Sequence, residues 1–156
     1  MKSPIKGVII KELTAQYDER GWLVELFRSD ELPTINKPVM AYLSLSKPGI
    51  ARGPHEHIKQ SDLFCFLGFS TFRIYLWDNR KKSPSFKKKF TFVCVQNKLT
   101  LVIVPPGVVH AYKNIGKTEG LVLNAPNRLY KGRHRARNRD EIRHEENPNS
   151  PFKLVD

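Results

Sequence analysis

With 156 residues, 40% of them hydrophobic and 27% charged, the chain has the material for one buried core and reads as a single domain over 1–156. Its apolar runs are too short for a membrane-spanning helix, and Met1-Lys2-Ser3-Pro4-Ile5-Lys6 lacks the apolar stretch and cleavage site of a secretory signal. The net charge of +12 comes without a helical recognition pattern or an aromatic RNA-binding motif, which argues against a nucleic-acid partner.

Short strand-like runs recur along the chain. Val8-Ile9-Ile10 is followed by a polar turn and then Trp22-Leu23-Val24-Glu25-Leu26-Phe27. A brief helical turn is expected near Asp30-Glu31-Leu32. Ala41 to Ser46 alternates apolar and small polar residues before the turn Lys47-Pro48-Gly49. Leu63 to Leu67 ends at Gly68. In the run from Thr71 to Trp77, Phe72, Ile74 and Leu76 share one face, while Arg73, Tyr75 and Trp77 share the other. Phe90 to Val95, Leu101 to Val104 and Leu121 to Leu123 complete the set. The segment from about 144 is polar and is expected to lie over the surface. Short strands punctuated by Pro, Gly and Asn predict an all-β sandwich or barrel. Cys65 and Cys94 fall inside apolar runs, so both are expected to be reduced core thiols of a cytoplasmic protein. The basic excess sits in Lys81-Lys82 with Lys87-Lys88-Lys89, and in the run from Lys131 to Arg143. It reads as two solvated faces or as an attractor for a phosphorylated small molecule.

Two segments carry the chemistry. One is Gly49-Ile50-Ala51-Arg52-Gly53-Pro54-His55-Glu56-His57, continuing through Ser61-Asp62 to Gly68; the other is Pro105-Pro106-Gly107-Val108-Val109-His110-Ala111-Tyr112-Lys113-Asn114. Residues two apart in a strand share a face, so His55 and His57 can both point into a barrel, and the Pro-Gly turn delivers His110 from another strand. Inward imidazoles from two strands mark either a metal site or an acid–base site.

Both segments resemble the paired motifs of the cupin superfamily, Gly-x5-His-x-His-x4-(Glu), with Asp62 at the carboxylate position, and Pro-x-Gly-x2-His-x3-Asn. The resemblance implies a double-stranded β-helix, the cupin or jelly-roll barrel. From about Gly7 to Pro148 the chain is more closely similar to the dTDP-4-dehydrorhamnose 3,5-epimerases. The blocks that carry this are Asp18-Glu19-Arg20-Gly21-Trp22-Leu23-Val24-Glu25, Arg52-Gly53-Pro54-His55, Asp78-Asn79-Arg80-Lys81-Lys82-Ser83-Pro84-Ser85-Phe86 and Pro105 to His110. The resemblance implies a dTDP-linked 4-keto-6-deoxy sugar as substrate and no cofactor. It makes His55 the base, places Arg52 and His110 on the sugar, and places Arg20 and Glu25 on the nucleotide and diphosphate. Sheet edges left open by the barrel predict a homodimer whose first strands, near Val8 and Trp22, are exchanged to cover them. A near-neutral imidazole suits the base, and a guanidinium suits phosphate oxygens.

The departures from the family bear on the reaction. The family's tyrosine acid aligns with Asn124, and an amide cannot donate that proton. Tyr130, which matches a later family tyrosine, is the candidate substitute. The family lysine downstream of the base has no clean counterpart; Lys59 is the nearest candidate and Ser61 the closest by alignment. Met40 and Tyr42 stand where nucleotide-contacting polar residues are expected, and no motif marks a carboxylate partner for the base. Loss of the opposite-face acid favours one-face chemistry, such as keto migration in the related 3,4-ketoisomerases, whose His-x-His resembles His55-Glu56-His57. The alternatives are a metal cupin holding a divalent ion on His55, His57, Asp62 and His110, and a non-catalytic sugar-binding cupin.

Overall fold

Alternation of apolar and polar residues becomes strands wherever one face has a core to meet. The computed structural model describes residues 1–155. Its strands are β1 (Ile9–Leu13), β2 (Gln16–Asp18), β3 (Gly21–Leu23), β4 (Tyr42–Ser46), β5 (Ala51–Glu56), β6 (Asp62–Phe66), β7 (Phe72–Asp78), β8 (Lys89–Cys94), β9 (Leu99–Val104), β10 (Val108–Asn114), β11 (Gly120–Asn124) and β12 (Ile142–Arg143). Short 3-10 turns occupy Thr34–Asn36, Arg133–Arg135 and His144–Glu146. Two five-stranded antiparallel sheets, β1-β9-β6-β11-β4 and β12-β5-β10-β7-β8, form the jelly-roll expected from the sequence, and β2-β3 is a separate hairpin.

The period-two pattern sorts the residues as read. Phe72, Ile74 and Leu76 join Phe64, Phe66, Val102, Tyr112 and Val122 between the sheets. The opposite face of β7 is also covered: Tyr75 and Trp77 pack with Val109 and Ala111 beneath Phe152 and Leu154 of the C-terminal segment. On the other sheet, Leu63, Cys65, Leu101 and Ile103 are covered by Leu26 and Leu32. That explains why only Gly21–Leu23 of the predicted 22–27 strand pairs. The remainder is an apolar cover over the outer face of β6 and β9, a use that an apolar run does not distinguish from a strand. The strand near Val8 pairs with β9 at the edge of its sheet within this single chain. The helical turn forms at Thr34–Asn36, after Pro33, rather than at Asp30. Cys65 and Cys94 are buried free thiols, and burial pushes both up to about 12.

The barrel interior is divided along its length. Phe66, Phe72 and Tyr112, with ring centroids 5.3 to 5.7 Å apart, fill one end. At the other end the inward positions of β5, β6, β10 and β11 turn polar, and there the histidines gather.

Candidate active site

His55 on β5 and His110 on β10 are direct register partners. Their rings meet edge-on at 6.3 Å, and His57, just past the end of β5, stacks on His110 at 5.7 Å. Gly53 lets the two strands come this close. Its φ of +88° suits glycine, and a β-carbon there would lie 2.6 Å from the His110 carbonyl oxygen and 2.9 Å from the His55 nitrogen.

Asp62, 1% exposed at the start of β6, organises the buried half of the cluster. Its Oδ2 lies 3.0 Å from His57 Nε2 and 3.4 Å from His110 Nε2. Its Oδ1 accepts from Asn124 Nδ2 at 2.9 Å and from Gln60 Nε2 at 3.0 Å. Burial opposes charge on Asp62, yet these partners outweigh it and hold the carboxyl down to about 2. Burial also disfavours a charged His57, but the Asp62 carboxylate outweighs it and raises the imidazole to about 9. The geometry agrees, because Nδ1 of the same ring faces the Asp140 carbonyl and both nitrogens therefore meet acceptors. The Asp62 carboxylate thus favours the protonated form of His57 at neutral pH, with the Gln60 amide nitrogen also 3.3 Å from Nε2. His110 is pushed down to about 4, chiefly by burial and despite Asp62, and stays neutral.

His55 has different company. Its Nε2 lies 2.6 Å from Glu145 and its Nδ1 lies 3.7 Å from Glu141. Both carboxylates arrive on the C-terminal segment, which is anchored rather than draped. Arg143 of β12 pairs with His55 itself, and His144 Nε2 meets Glu56 at 2.8 Å. Burial works against the charged form of Glu141, but hydrogen bonding to Arg143 and the neighbouring His55 keep its carboxyl below the usual range. A carboxylate partner for the base therefore exists, although no motif announced it. Its sequence signal was Glu141 within the arginine-rich run and Glu145 in the polar tail, which also describes a solvated surface.

The remaining candidates divide. Asn124 faces inward, donating to Asp62 and, at 2.8 Å, to the Tyr42 hydroxyl, while its own Oδ1 is buried without a partner among the described residues. Arg52 binds Ser46 Oγ and the Leu45 carbonyl of β4 at 3.2 and 2.9 Å. Tyr130 is 46% exposed, with Lys131 against its ring. Lys59 is exposed on a loop whose backbone nitrogens donate to Asp140. Arg20 pairs with Asp18 in the β2-β3 hairpin, and Glu25 meets Arg28; neither contact involves the histidine cluster. Of the four expected metal ligands, His57, Asp62 and His110 present donor atoms within 4.8 Å of one another, and His55 lies outside that group.

Known proteins with this architecture supply the deciding observation. The family model for dTDP-4-dehydrorhamnose 3,5-epimerase matches residues 2–139. The chain belongs to that family. Membership makes it an enzyme, an isomerase of nucleotide-linked sugars. It is 37% identical over 128 residues, 81% of either chain, to a probable low-salt glycan biosynthesis epimerase of Haloferax volcanii. It is 32% identical over 114 residues, 73% of this chain and 74% of the relative, to the spore coat polysaccharide biosynthesis protein SpsL of Bacillus subtilis. Among solved structures, a dTDP sugar isomerase from Desulfovibrio desulfuricans superposes with a TM-score of 0.80 at 23% identity, covering 96% of this chain and 92% of that one. The Legionella pneumophila epimerase solved with dTDP-4-keto-L-rhamnose gives 0.77 at 20% identity, covering 98% and 83%. Glu141 and Glu145 both fall beyond the family-matched residues.

Proposed function

We propose that this chain, acting as one cupin domain, removes the proton beside the ketone of a dTDP-linked 4-keto-6-deoxy sugar, with His55 as the base. The observation that carries the reading is the setting of His55 against neutral His110 and between two glutamates. Donation from Nε2–H to Glu145 leaves the lone pair on Nδ1, and that carboxylate then steadies the imidazolium formed when a carbon acid is deprotonated. The ketone makes the neighbouring C–H acidic, and the electron pair moves onto the carbonyl oxygen as an enolate. Half-buried His57, its proton favoured by Asp62, is the cation at hand in the cluster. Proton transfer of this kind requires an acid and a base and no cofactor. His110, Arg52 and the unpartnered Oδ1 of Asn124 are the groups we assign to the sugar.

Arg20 and Glu25 are assigned to the nucleotide and diphosphate in a homodimer. Tyr17, Trp22 and Leu23 of their hairpin, and Leu43 and Leu45 on the outer face of edge strand β4, are exposed apolar residues that a second copy would cover. No helix among the described residues is long and apolar enough to cross a membrane. A cytoplasmic location is our reading, supported by the two buried free thiols.

The test is solvent exchange. With dTDP-4-keto-6-deoxyglucose in D2O, the protein should incorporate deuterium beside the ketone, and His55→Ala should abolish incorporation. Absence of exchange in the unaltered protein would refute the reading. The metal alternative has one observation behind it, the close donor atoms of His57, Asp62 and His110. Because both His57 nitrogens face acceptors, an ion would first have to displace a bound proton there. Stoichiometric metal in the purified protein, with exchange lost on chelation, would favour that alternative.

A further inference from the structure

The sequence left the reaction without an acid for the second face of the sugar, since Asn124 stands where the family has its tyrosine. The strand register shows where a phenol went. On β4, Tyr42 is the direct antiparallel partner of Asn124 on β11, and its hydroxyl oxygen accepts from Asn124 Nδ2 at 2.8 Å. That bond leaves the phenol's own proton free. Tyr42 shares its strand face with Ser44 and Ser46, whose hydroxyls meet Tyr112 and Arg52 within the barrel, whereas Leu43 and Leu45 point out. Tyr42 is 48% exposed and so sits at the barrel mouth, with its hydroxyl turned inward onto Asn124. Its sheet is the wall opposite the one that carries His55.

The other phenols near the site are occupied otherwise. Tyr112 binds Ser44 and is enclosed by Phe64, Phe66 and Phe72 at the apolar end. Tyr130 is exposed to the same degree as Tyr42, but it lies beyond β11, its backbone nitrogen against Met40 Sδ and its ring against Lys131 rather than against Asn124.

Resting on the proposed function of His55, we propose that Tyr42 is the catalytic acid, so that inversion at a carbon beside the ketone runs between the two walls of the barrel. His55 takes the proton from one face, and the C–H electron pair becomes the enolate. The enolate carbon then takes the Tyr42 hydroxyl proton on the other face while the carbonyl re-forms, leaving His55 protonated and Tyr42 as phenolate. Return of one proton from His55 to Tyr42 through solvent closes the cycle, with no net gain or loss of atoms. Asn124 is a positioning residue in this arrangement. Its amide is oriented by Asp62, whose carboxylate accepts from the same nitrogen, and that nitrogen in turn holds the phenol oxygen. Partial burial, with Asp62 nearby, pushes Tyr42 up to about 12 against the opposing effect of the Asn124 bond, so the hydroxyl keeps its proton at neutral pH.

The experiment follows deuterium incorporation and configuration together, by NMR, with dTDP-4-keto-6-deoxyglucose in D2O. The unaltered protein should incorporate deuterium with inversion. Tyr42→Phe should still exchange at a rate within a few-fold, now with retention, while inversion falls at least 100-fold. The double variant Tyr42→Phe with Asn124→Tyr should recover inversion at least tenfold over Tyr42→Phe, the phenol having moved one strand across. Calorimetry with dTDP serves as the folding control, and Tyr42→Phe should bind it as the unaltered protein does. Inversion by Tyr42→Phe at the original rate, with His55-dependent exchange intact, would overturn the role of Tyr42 and leave the base assignment standing. Weaker dTDP binding with exchange and inversion reduced in parallel through KM would make Tyr42 a nucleotide contact and equally overturn it. A complete lack of exchange in the unaltered protein would remove the base and this inference together.

Discussion

Replacing Asp62 with asparagine removes one charge and leaves the volume almost unchanged, so it isolates the electrostatics of the cluster. In the native protein His57 titrates near 9, against 6.5 for the free side chain. That difference of ~2.5 units corresponds to about 3 kcal/mol at about 1.4 kcal/mol per unit. Asp62, held near 2 instead of 3.8, gives about 2 kcal/mol for the same contact, which is counted once. A raised histidine stabilises the fold fully below its unfolded value and loses that contribution as the pH climbs through the folded value. The Asp62→Asn protein should therefore be about 3 kcal/mol less stable than the native protein at pH 6, and the pH-dependent part of that gap should close by pH 10. His57 is faced by Asp62 from β6, His110 from β10, and Glu141 and the Asp140 carbonyl from the C-terminal segment, and only the first is altered. The matched assays are urea denaturation at the two pH values and a histidine NMR titration. At pH 6 the melting temperature should fall by about 6–12 °C. An equal destabilisation at pH 6 and pH 10, or a native His57 that titrates near 6.5, would refute the ion-pair account.

Other consequences can be checked separately. His110, depressed to about 4, withdraws stability as the pH falls from 6.5 through 4, because the unfolded chain takes up a proton the fold refuses; with the His57 contribution lost above 6.5, a maximum near pH 6.5 in a stability–pH profile is expected. Glu145→Gln should lower kcat for exchange about tenfold to a hundredfold with KM little changed, less than the ~10²–10⁴-fold that a general base contributes, as steady-state kinetics in D2O would show. Gly53→Ala should cost more than about 2 kcal/mol and shift the histidine NMR signals, because the added carbon meets backbone atoms of His110 and His55. Phe66→Ala, which empties a fully buried site against Phe64, Phe72 and Tyr112, should cost about 3–5 kcal/mol in denaturant titrations while leaving the exchange chemistry in place.

What the sequence made legible was local. Period-two runs such as Phe72-Arg73-Ile74-Tyr75-Leu76 announce strands because each face has its own neighbours to meet. The spacing of His55 and His57 and the turn before His110 gave the cluster its place, because one strand and one tight turn determine it. What stayed hidden was pairing between distant segments. Tyr42 gains its meaning only from the register of β4 against β11, and no residue near it in sequence specifies that register. Glu141 and Glu145 were hidden for a similar reason: carboxylates among arginines read as a solvated face until β12 is seen alongside β5. The run Val24 to Phe27 shows the converse, where strong apolar character was read as pairing and served as covering.

The contact between His55 and Glu145 spans 90 positions of chain. The barrel strands through β11 all precede this carboxylate in the chain. The same separation makes the enzyme vulnerable to a single proteolytic cut in the exposed arginine-rich stretch before β12. Such a cut would leave the two sheets largely intact and free the terminal piece to depart with Glu141, Glu145 and the Phe152 cover. Loss of turnover would then precede any loss of the barrel, and activity would report the integrity of the last turn of chain more sensitively than melting does.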